Sequence, residues 1–420
     1  MSMPQSDAPC VVDKPESYAI GPQEIGEEEI ALVTEALRSR NLFRYLKPAE
    51  QSYTARFENE FRDLTRVRHV LAVNSGTSAL ICGLVGLGVS SGDEVIIPAY
   101  TYVATAAAVL AVRGIPVIAE IDESLTLDPA DVEKKITPRT KAILPVHMRG
   151  TPSRMDELMA IAKKHGLKVL EDCAQCNGGN YKGKPVGSIG DAGAFSLQQF
   201  KIITAGEGGA FVTNDKIVFD RGGCYHDAAF AFWMEEDPEA RLTIPPFLGE
   251  NYRLSDLNGA LALAQLRKRE RILAKLREIK KRMLAGIANV KGIRFQDVPD
   301  PEGDCGISVV IFVETPDRAK RVAEALRDEG MSAGSLFDKG IPDRHIYYHW
   351  DYVLEKRSSD VYGHPWTDTA RPAQVKYDKD MCPRSIAILG RCVVMPLTQV
   401  MSDAHIDSCI VALQKVHARV

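Results

Sequence analysis

The chain has 420 residues, 45% of them hydrophobic and 26% charged, with a formal net charge of −4. That length supports a large core in one or two domains. The slightly acidic balance argues against a general affinity for nucleic acid or anionic membranes, and no apolar run is long enough to span a bilayer.

Along the chain, residues 1–19 are polar, dotted with proline and acidic side chains, and lack an apolar h-region. They predict an arm or disordered segment rather than a signal peptide, and hence a cytoplasmic protein. The nine cysteines are odd in number and scattered, which fits reduced thiols better than a disulfide framework. Amphipathic helices are predicted over residues 27–39 and 53–64. Strand candidates follow at 70–73, 94–97, 117–121, 142–146, 168–171, 193–196 and 210–213, with helical stretches such as 104–112 and 155–165 between them. The alternation predicts an α/β fold, a mostly parallel seven-stranded sheet covered by helices, with ligands beyond the carboxyl ends of the strands. Residues 260–283 read as one long basic helix. Beyond it, strand or helix patterns at 293–296, 307–313 and 318–328 lead through an irregular stretch at 337–384 to a strand at 393–395 and a last helix at 405–418. The division expected is a large ligand-binding domain over 20–270 and a smaller C-terminal α/β domain over 271–420.

Chemistry-bearing residues fall at the predicted strand ends. Ser75-Gly76-Thr77 opens a helix. Its free amides and helix dipole make either an anion site or an ordinary N-cap. Asp172 ends an apolar strand, where it either meets a ring N–H or caps the next turn. Lys201 precedes Gly206-Glu207-Gly208-Gly209, a backbone able to approach a ligand closely. It reads as an amine nucleophile and proton carrier, or as a solvated surface lysine. Tyr102 either stacks on a ring or lies in the core. A phosphate cradle, a carboxylate and a lysine in this order suit pyridoxal phosphate. Cys173 and Cys176 form a C-x-x-C with no second ligand pair spaced to complete a metal site, so no metal is expected. Gly178 to Lys184 matches a P-loop, but Pro185 replaces the hydroxyl residue and would stop the helix.

Several motifs occur together: Ser75-Gly76-Thr77-x-Ala79, Gly92-Asp93-Glu94-Val95, Glu171-Asp172-x-Ala174-Gln175, Phe195-Ser196, Lys201, Gly206-Glu207-Gly208-Gly209, Asn251-Tyr252-Arg253-Leu254-Ser255 and Met395-Pro396-Leu397. In that order they resemble the DegT/DnrJ/EryC1/StrS sugar aminotransferase family, a branch of the fold-type I pyridoxal-phosphate enzymes, over roughly residues 20–416. The resemblance implies that Lys201 is the Schiff-base lysine and that Asp172 pairs with the ring nitrogen. It implies Gln175 on the ring hydroxyl, Gly76, Thr77 and Ser196 on the phosphate, and Tyr102 stacked on the ring. Asn251 would reach the phosphate in a neighbouring subunit, which makes a homodimer with shared active sites. The implied reaction moves an amino group from glutamate or glutamine to a keto or aldehydo sugar, a sugar acid or a cyclitol. Residues 41–45, 119–123 and 146–148 resemble the branch aminating an octulosonate; Phe195-Ser196-x-Gln198-Gln199 resembles the glutamine:scyllo-inosose branch.

Two other classes share parts of this pattern. A dehydratase or cyclase of the same family is one, although in the sugar dehydratases a histidine replaces the lysine, which is intact here. A non-catalytic regulator is the other, opposed by the absence of a recognisable DNA-binding module. Substrate candidates are Arg44, beside Phe43 and Tyr45, as a carboxylate clamp or a surface arginine. His345 and His349, among Tyr347, Tyr348 and Trp350, would line a polyol pocket or simply pack a loop. His147 either faces the cofactor or is a neutral core histidine.

Overall fold

Short β-branched runs bounded by glycine and polar turns build the central sheet of this computed structural model, which describes residues 9–45, 49–229, 241–369, 371 and 373–419. Its strands are β1 (His69–Val73), β2 (Glu94–Pro98), β3 (Ile115–Ala119), β4 (Thr140–Ile143), β5 (Lys168–Asp172), β6 (Ala192–Ser196) and β7 (Gly209–Thr213). They lie in the order β1-β7-β6-β5-β4-β2-β3. Pairs from β3 through β6 are parallel; β7 runs antiparallel to both of its neighbours. Most of these strands are buried along their length, as helices on both faces require. The sheet is α/β and mostly parallel, as the alternation predicted.

Helix α1 (Glu27–Ser39) and helix α2 (Tyr53–Thr65) precede the sheet, and α3 (Gly76–Gly86) follows β1. Ser75 caps α3 by accepting the Ser78 N–H at 3.0 Å. Helix α4 (Ala104–Ala111) follows β2, α5 (Pro129–Lys135) follows β3, α6 (Met155–His165) precedes β5, and α7 (Lys216–His226) follows β7. The predicted third and fourth strands each start two residues earlier than expected. Past the ladders, Ile121 keeps only an isolated bridge to Leu127 and Val146 one to Asp172.

Helix α8 (Asp256–Ile287) starts on the Ser255 cap and packs on α1 and α2. The expected boundary at 270/271 falls inside it. Beyond lie β8 (Arg294–Phe295), β9 (Ser308–Phe312), α9 (Pro316–Asp328), β10 (Gly334–Ser335), α10 (Pro383–Gly390), β11 (Cys392–Pro396) and α11 (Asp403–His417). The four strands form an antiparallel sheet in the order β8-β9-β11-β10. One apolar cluster joins α2 and β6 to α8, α9 and α11, so the two sheets share a continuous core.

The 343–347 segment crosses back onto the large sheet. Thr101 and Val103 donate their N–H groups to the carbonyls of His345 and Arg344, and Tyr347 donates to that of Ala99. Residues 10–18 lie on the small unit, where Val11 donates to the Glu329 carbonyl and Tyr18 meets His405. Residues 180–185 form a β-hairpin whose two-residue loop, Lys182 and Gly183, has both residues at positive φ, so the 178–184 motif makes a hairpin turn and not a phosphate loop.

Candidate active site

Three neighbouring features converge at the carboxyl ends of the strands. The first is the amino end of α3. The N–H groups of Gly76 and Thr77 meet no acceptor among the described residues, which leaves the positive end of the helix open. A methyl group added at Gly76 would lie 2.7 Å from Ser196 Cβ. Gly76 is therefore required for α3 to close on the end of β6, and it brings Ser196 against the open amides. A second glycine, Gly209, fits the same wall, since a methyl there would lie 2.5 Å from the Ser75 carbonyl oxygen.

The second feature is Asp172, only 4% exposed, at the end of β5. Its carboxylate accepts the Ala174 N–H at 3.0 Å and the Thr105 hydroxyl at 3.0 Å, and Thr105 in turn meets Thr101 at 2.7 Å. No cation lies within ion-pair distance of it among the described residues. Burial pushes the carboxyl above its ordinary range; the Ala174 and Thr105 hydrogen bonds and the charge of Lys201 oppose this and do not overcome it.

The third is Lys201, in the 197–208 loop. Burial lowers the affinity of its amine for a proton, against the opposing charges of Asp172 and Glu207. No hydrogen-bond or ion-pair partner reaches its Nζ among the described residues. The backbone of the loop is held firmly. Gly21 donates its N–H to the Lys201 carbonyl at 2.9 Å, Lys201 donates to that of Gln198 at 3.0 Å, and Asn258 Nδ2 donates to that of Ala205 at 2.9 Å. Residue 20 is tied in turn to Gln399, whose amide donates to the Ile20 carbonyl at 3.0 Å and to Glu24 at 3.0 Å.

Gln175 lies one turn beyond Asp172, with its Oε1 accepting the Arg149 N–H at 3.1 Å. Tyr102 is 42% exposed at the end of β2 and meets the His345 ring at 5.2 Å, so it is no core tyrosine. His345 is oriented by Asp343 at 2.9 Å. Asn251 is exposed on a segment running beside β1, where Asn74 donates to the Tyr252 carbonyl at 2.8 Å.

Other candidates are engaged elsewhere. Arg44 places Nε and Nη2 on one oxygen of Glu58, at 3.0 and 2.6 Å, so the edge needed for a bidentate substrate contact is already occupied. Tyr45 donates its hydroxyl to His226 Nε2 at 3.1 Å, because His226 Nδ1 faces the Gly223 carbonyl; burial pushes the pKa of His226 down to about 4. His349 packs between Phe337 and Tyr348, not against Tyr102. His147 is fully buried. Its Nδ1 accepts the Ser153 N–H, so Nε2 carries the proton and donates to Glu171 at 3.0 Å. Glu171 and Asp172 point to opposite faces of β5, so His147 turns away from the site.

His147, Glu171 and Cys173 come together with ligand atoms within 4.8 Å of one another. Glu171 nevertheless already accepts the N–H groups of Gly187, Ile189 and Gly190 as well as His147. All four of its lone-pair positions are used, and the cluster is a structural network. Cys176 lies 3.6 Å from Cys305, both buried thiols. Sequence reasoning did not single out Arg149. Its contacts with Gln175 and Tyr100 join segments far apart in the chain, and no local pattern announces them.

A buried carboxylate and an amine without counter-ions, beside a glycine-closed helix end, fit pyridoxal phosphate: a cationic ring nitrogen, an aldehyde and a phosphate supply the missing partners. Fold and site together define an α/β protein built to hold such a group at strand ends. The model of the DegT/DnrJ/EryC1/StrS aminotransferase family matches residues 23–362, and the chain belongs to that family. It is 39% identical over 229 residues to the GDP-perosamine synthase of Escherichia coli O157:H7, a match covering 54% of this chain and 61% of that protein. It is 37% identical over 285 residues to the L-glutamine:2-deoxy-scyllo-inosose aminotransferase of Streptoalloteichus tenebrarius, covering 66% and 65%. The chain thus spans under two thirds of the length of these two relatives. The crystal structure of 3-amino-5-hydroxybenzoic acid synthase superposes with a TM-score of 0.77 at 25% identity, covering 94% of this chain and 98% of that one. No helix among the described residues is long and apolar enough to cross a membrane.

Proposed function

We propose that this protein is a pyridoxal-phosphate-dependent aminotransferase that moves an amino group from glutamate or glutamine to a keto or aldehydo sugar, sugar acid or cyclitol. The observation that carries this reading is the meeting of Asp172, Lys201 and the Gly76–Ser196 cradle at adjacent strand ends. When bound, pyridoxal phosphate supplies an electron-withdrawing ring that takes up the electron pair left when the α-carbon of the amino acid loses a proton.

The residues of the chain provide the rest. The amides of Gly76 and Thr77, with the Ser196 and Thr77 hydroxyls, bind the phosphate. Asp172 accepts a hydrogen bond from the ring nitrogen and keeps it protonated; the cost of burying its charge is recovered there. Thr105 and Ala174 fix the carboxylate that does so. Gln175 would bind the ring hydroxyl, and Tyr102 would lie against the ring. Lys201 would be the residue that holds the cofactor aldehyde, and its amine would move a proton at the α-carbon of the substrate. Its lowered proton affinity keeps more of it in the free-base form near neutral pH.

Asn251 completes the phosphate site of a second copy, so the working unit is a homodimer with shared sites. The nine unpaired cysteines suit a reducing, cytoplasmic setting. The test is direct. Purified protein titrated with pyridoxal phosphate should turn yellow, and borohydride should fix the cofactor to Lys201 on peptide mapping. A panel of keto and aldehydo sugars, sugar acids and cyclitols with glutamate, glutamine and alanine then identifies donor and acceptor. Cofactor that fixes elsewhere, or no amino transfer across the panel, overturns the reading.

A further inference from the structure

Arg149 follows β4 and the His147 turn with φ +58, in the left-handed region that a long side chain rarely adopts. Such backbone conformations concentrate at functional sites. Two contacts fix the residue at the strand ends: its N–H donates to Gln175, and its Nε donates to the Tyr100 hydroxyl at 2.8 Å. Tyr100 leads directly into Thr101 and Tyr102 of the site.

The four Nη hydrogens of Arg149 make no hydrogen bond and no ion pair among the described residues, although the side chain is half-buried. Three other partly or fully buried arginines are matched to acids, Arg44 to Glu58 at 2.6 Å, Arg154 to Asp122 at 2.7 Å and Arg269 to Glu270 at 2.8 Å, and Arg221 and Arg277 bond to backbone carbonyls. The acid nearby, Asp343, holds the ring and backbone N–H of His345 on its Oδ1 and makes no ion pair with Arg149. Burial raises the Asp343 carboxyl, but those hydrogen bonds and the charges of His345 and Arg149 outweigh it and hold it below its ordinary range. An open guanidinium fork, held at its Nε by the Tyr100 hydroxyl, matches the two oxygens of a carboxylate.

We propose that Arg149 is the specificity residue that binds a substrate carboxylate through its two Nη groups. This rests on the aminotransferase reading. The carboxylate comes either from a dicarboxylic amino donor or from a sugar-acid acceptor, and two inert probes separate the sources. Glutarate mimics the donor's carboxylates without an amino group, and D-glucuronate presents a sugar carboxylate.

Calorimetric titration of each into cofactor-loaded wild type, Arg149→Gln and Arg149→Lys provides the test. In Arg149→Gln, affinity for at least one probe should fall by about ten- to a hundredfold, with Arg149→Lys in between because it keeps charge but loses the fork. Loss confined to glutarate assigns the donor, and loss confined to glucuronate assigns the acceptor. Loss of both assigns one carboxylate site used in turn by each half-reaction. If wild type binds neither probe, or both variants bind as wild type does, the proposal is overturned. Should Arg149→Gln not fold, Arg149→Lys carries the comparison alone, with a several-fold loss expected. Borohydride fixation to Lys201 is measured on the same samples. Its failure in wild type condemns the aminotransferase reading, whereas normal fixation with unchanged probe affinity condemns only the role of Arg149.

Discussion

Among the described residues the fold gives Lys201 and Asp172 no counter-ion at ion-pair distance, and each makes a distinct prediction. Lys201→Ala should keep the far-ultraviolet dichroism of the wild type but lose the yellow colour and all amino transfer; a variant that turns over at the wild-type rate rejects the assignment. Asp172→Asn should still bind cofactor through the helix end, while turnover falls by roughly a hundredfold to a thousandfold or more. A loss within about tenfold would reduce Asp172 to a cap on the Ala174 turn. The same carboxylate sets a pH trend in the cofactor-free protein. Its folded proton affinity is raised, so its contribution to stability is complete below the unfolded carboxylate range and is lost as pH rises through the folded value. Melting temperatures of wild type and Asp172→Asn, compared from acid to neutral pH, should therefore diverge in favour of the asparagine variant as pH rises. These two residues were legible in the sequence because each follows a strand-like run next to glycine or apolar neighbours. Arg44, His147 and His349 were not, because their partners, Glu58, Glu171 and Phe337, are fixed only by tertiary packing.

At the scale of elements, Glu171 is the anchor of the turn between the small hairpin and β6. It gathers three backbone N–H groups from 187–190 and the His147 ring, tying that turn and the end of β4 to β5. Glu171→Gln replaces an acceptor oxygen with a donor that faces N–H groups. It should cost about 1–3 kcal/mol, read as a lower denaturation midpoint, with cofactor capture retained once the protein is folded. An unchanged midpoint would show that the turn is held by packing alone. The sheet itself was readable from period and punctuation, down to most strand ends. What the pattern missed follows from physics that acts across the chain. Ile121 and residues 144–146 carry the apolar pattern beyond the two ladders, because backbone hydrogen bonding to the neighbouring strand, not side-chain character, decides where pairing stops. The long helix begins at Asp256, earlier than its apolar pattern, because the Ser255 hydroxyl caps it. The smaller sheet proved antiparallel, a property that a few short strands without regular crossover helices do not disclose.

For the whole molecule, the proposed sharing of sites has a genetic signature. Lys201→Ala and an Asn251 substitution shown to be inactive alone should restore activity when co-expressed, since mixed dimers hold one site with both native residues. Mixed dimers that form and stay silent would place both residues in the same chain's site. A further consequence follows from the contact between Gly21 and the Lys201 carbonyl, continued through Ile20 to Gln399. The loop that carries the lysine is braced by segments from near both chain ends, contacts of very large sequence separation that form slowly. Cofactor capture is therefore a late event of refolding. After dilution from denaturant, visible colour should lag the recovery of helical dichroism. A chain cut back to residue 25 should regain its helices on time and its colour poorly, so that the yellow band reports when the two ends have come home.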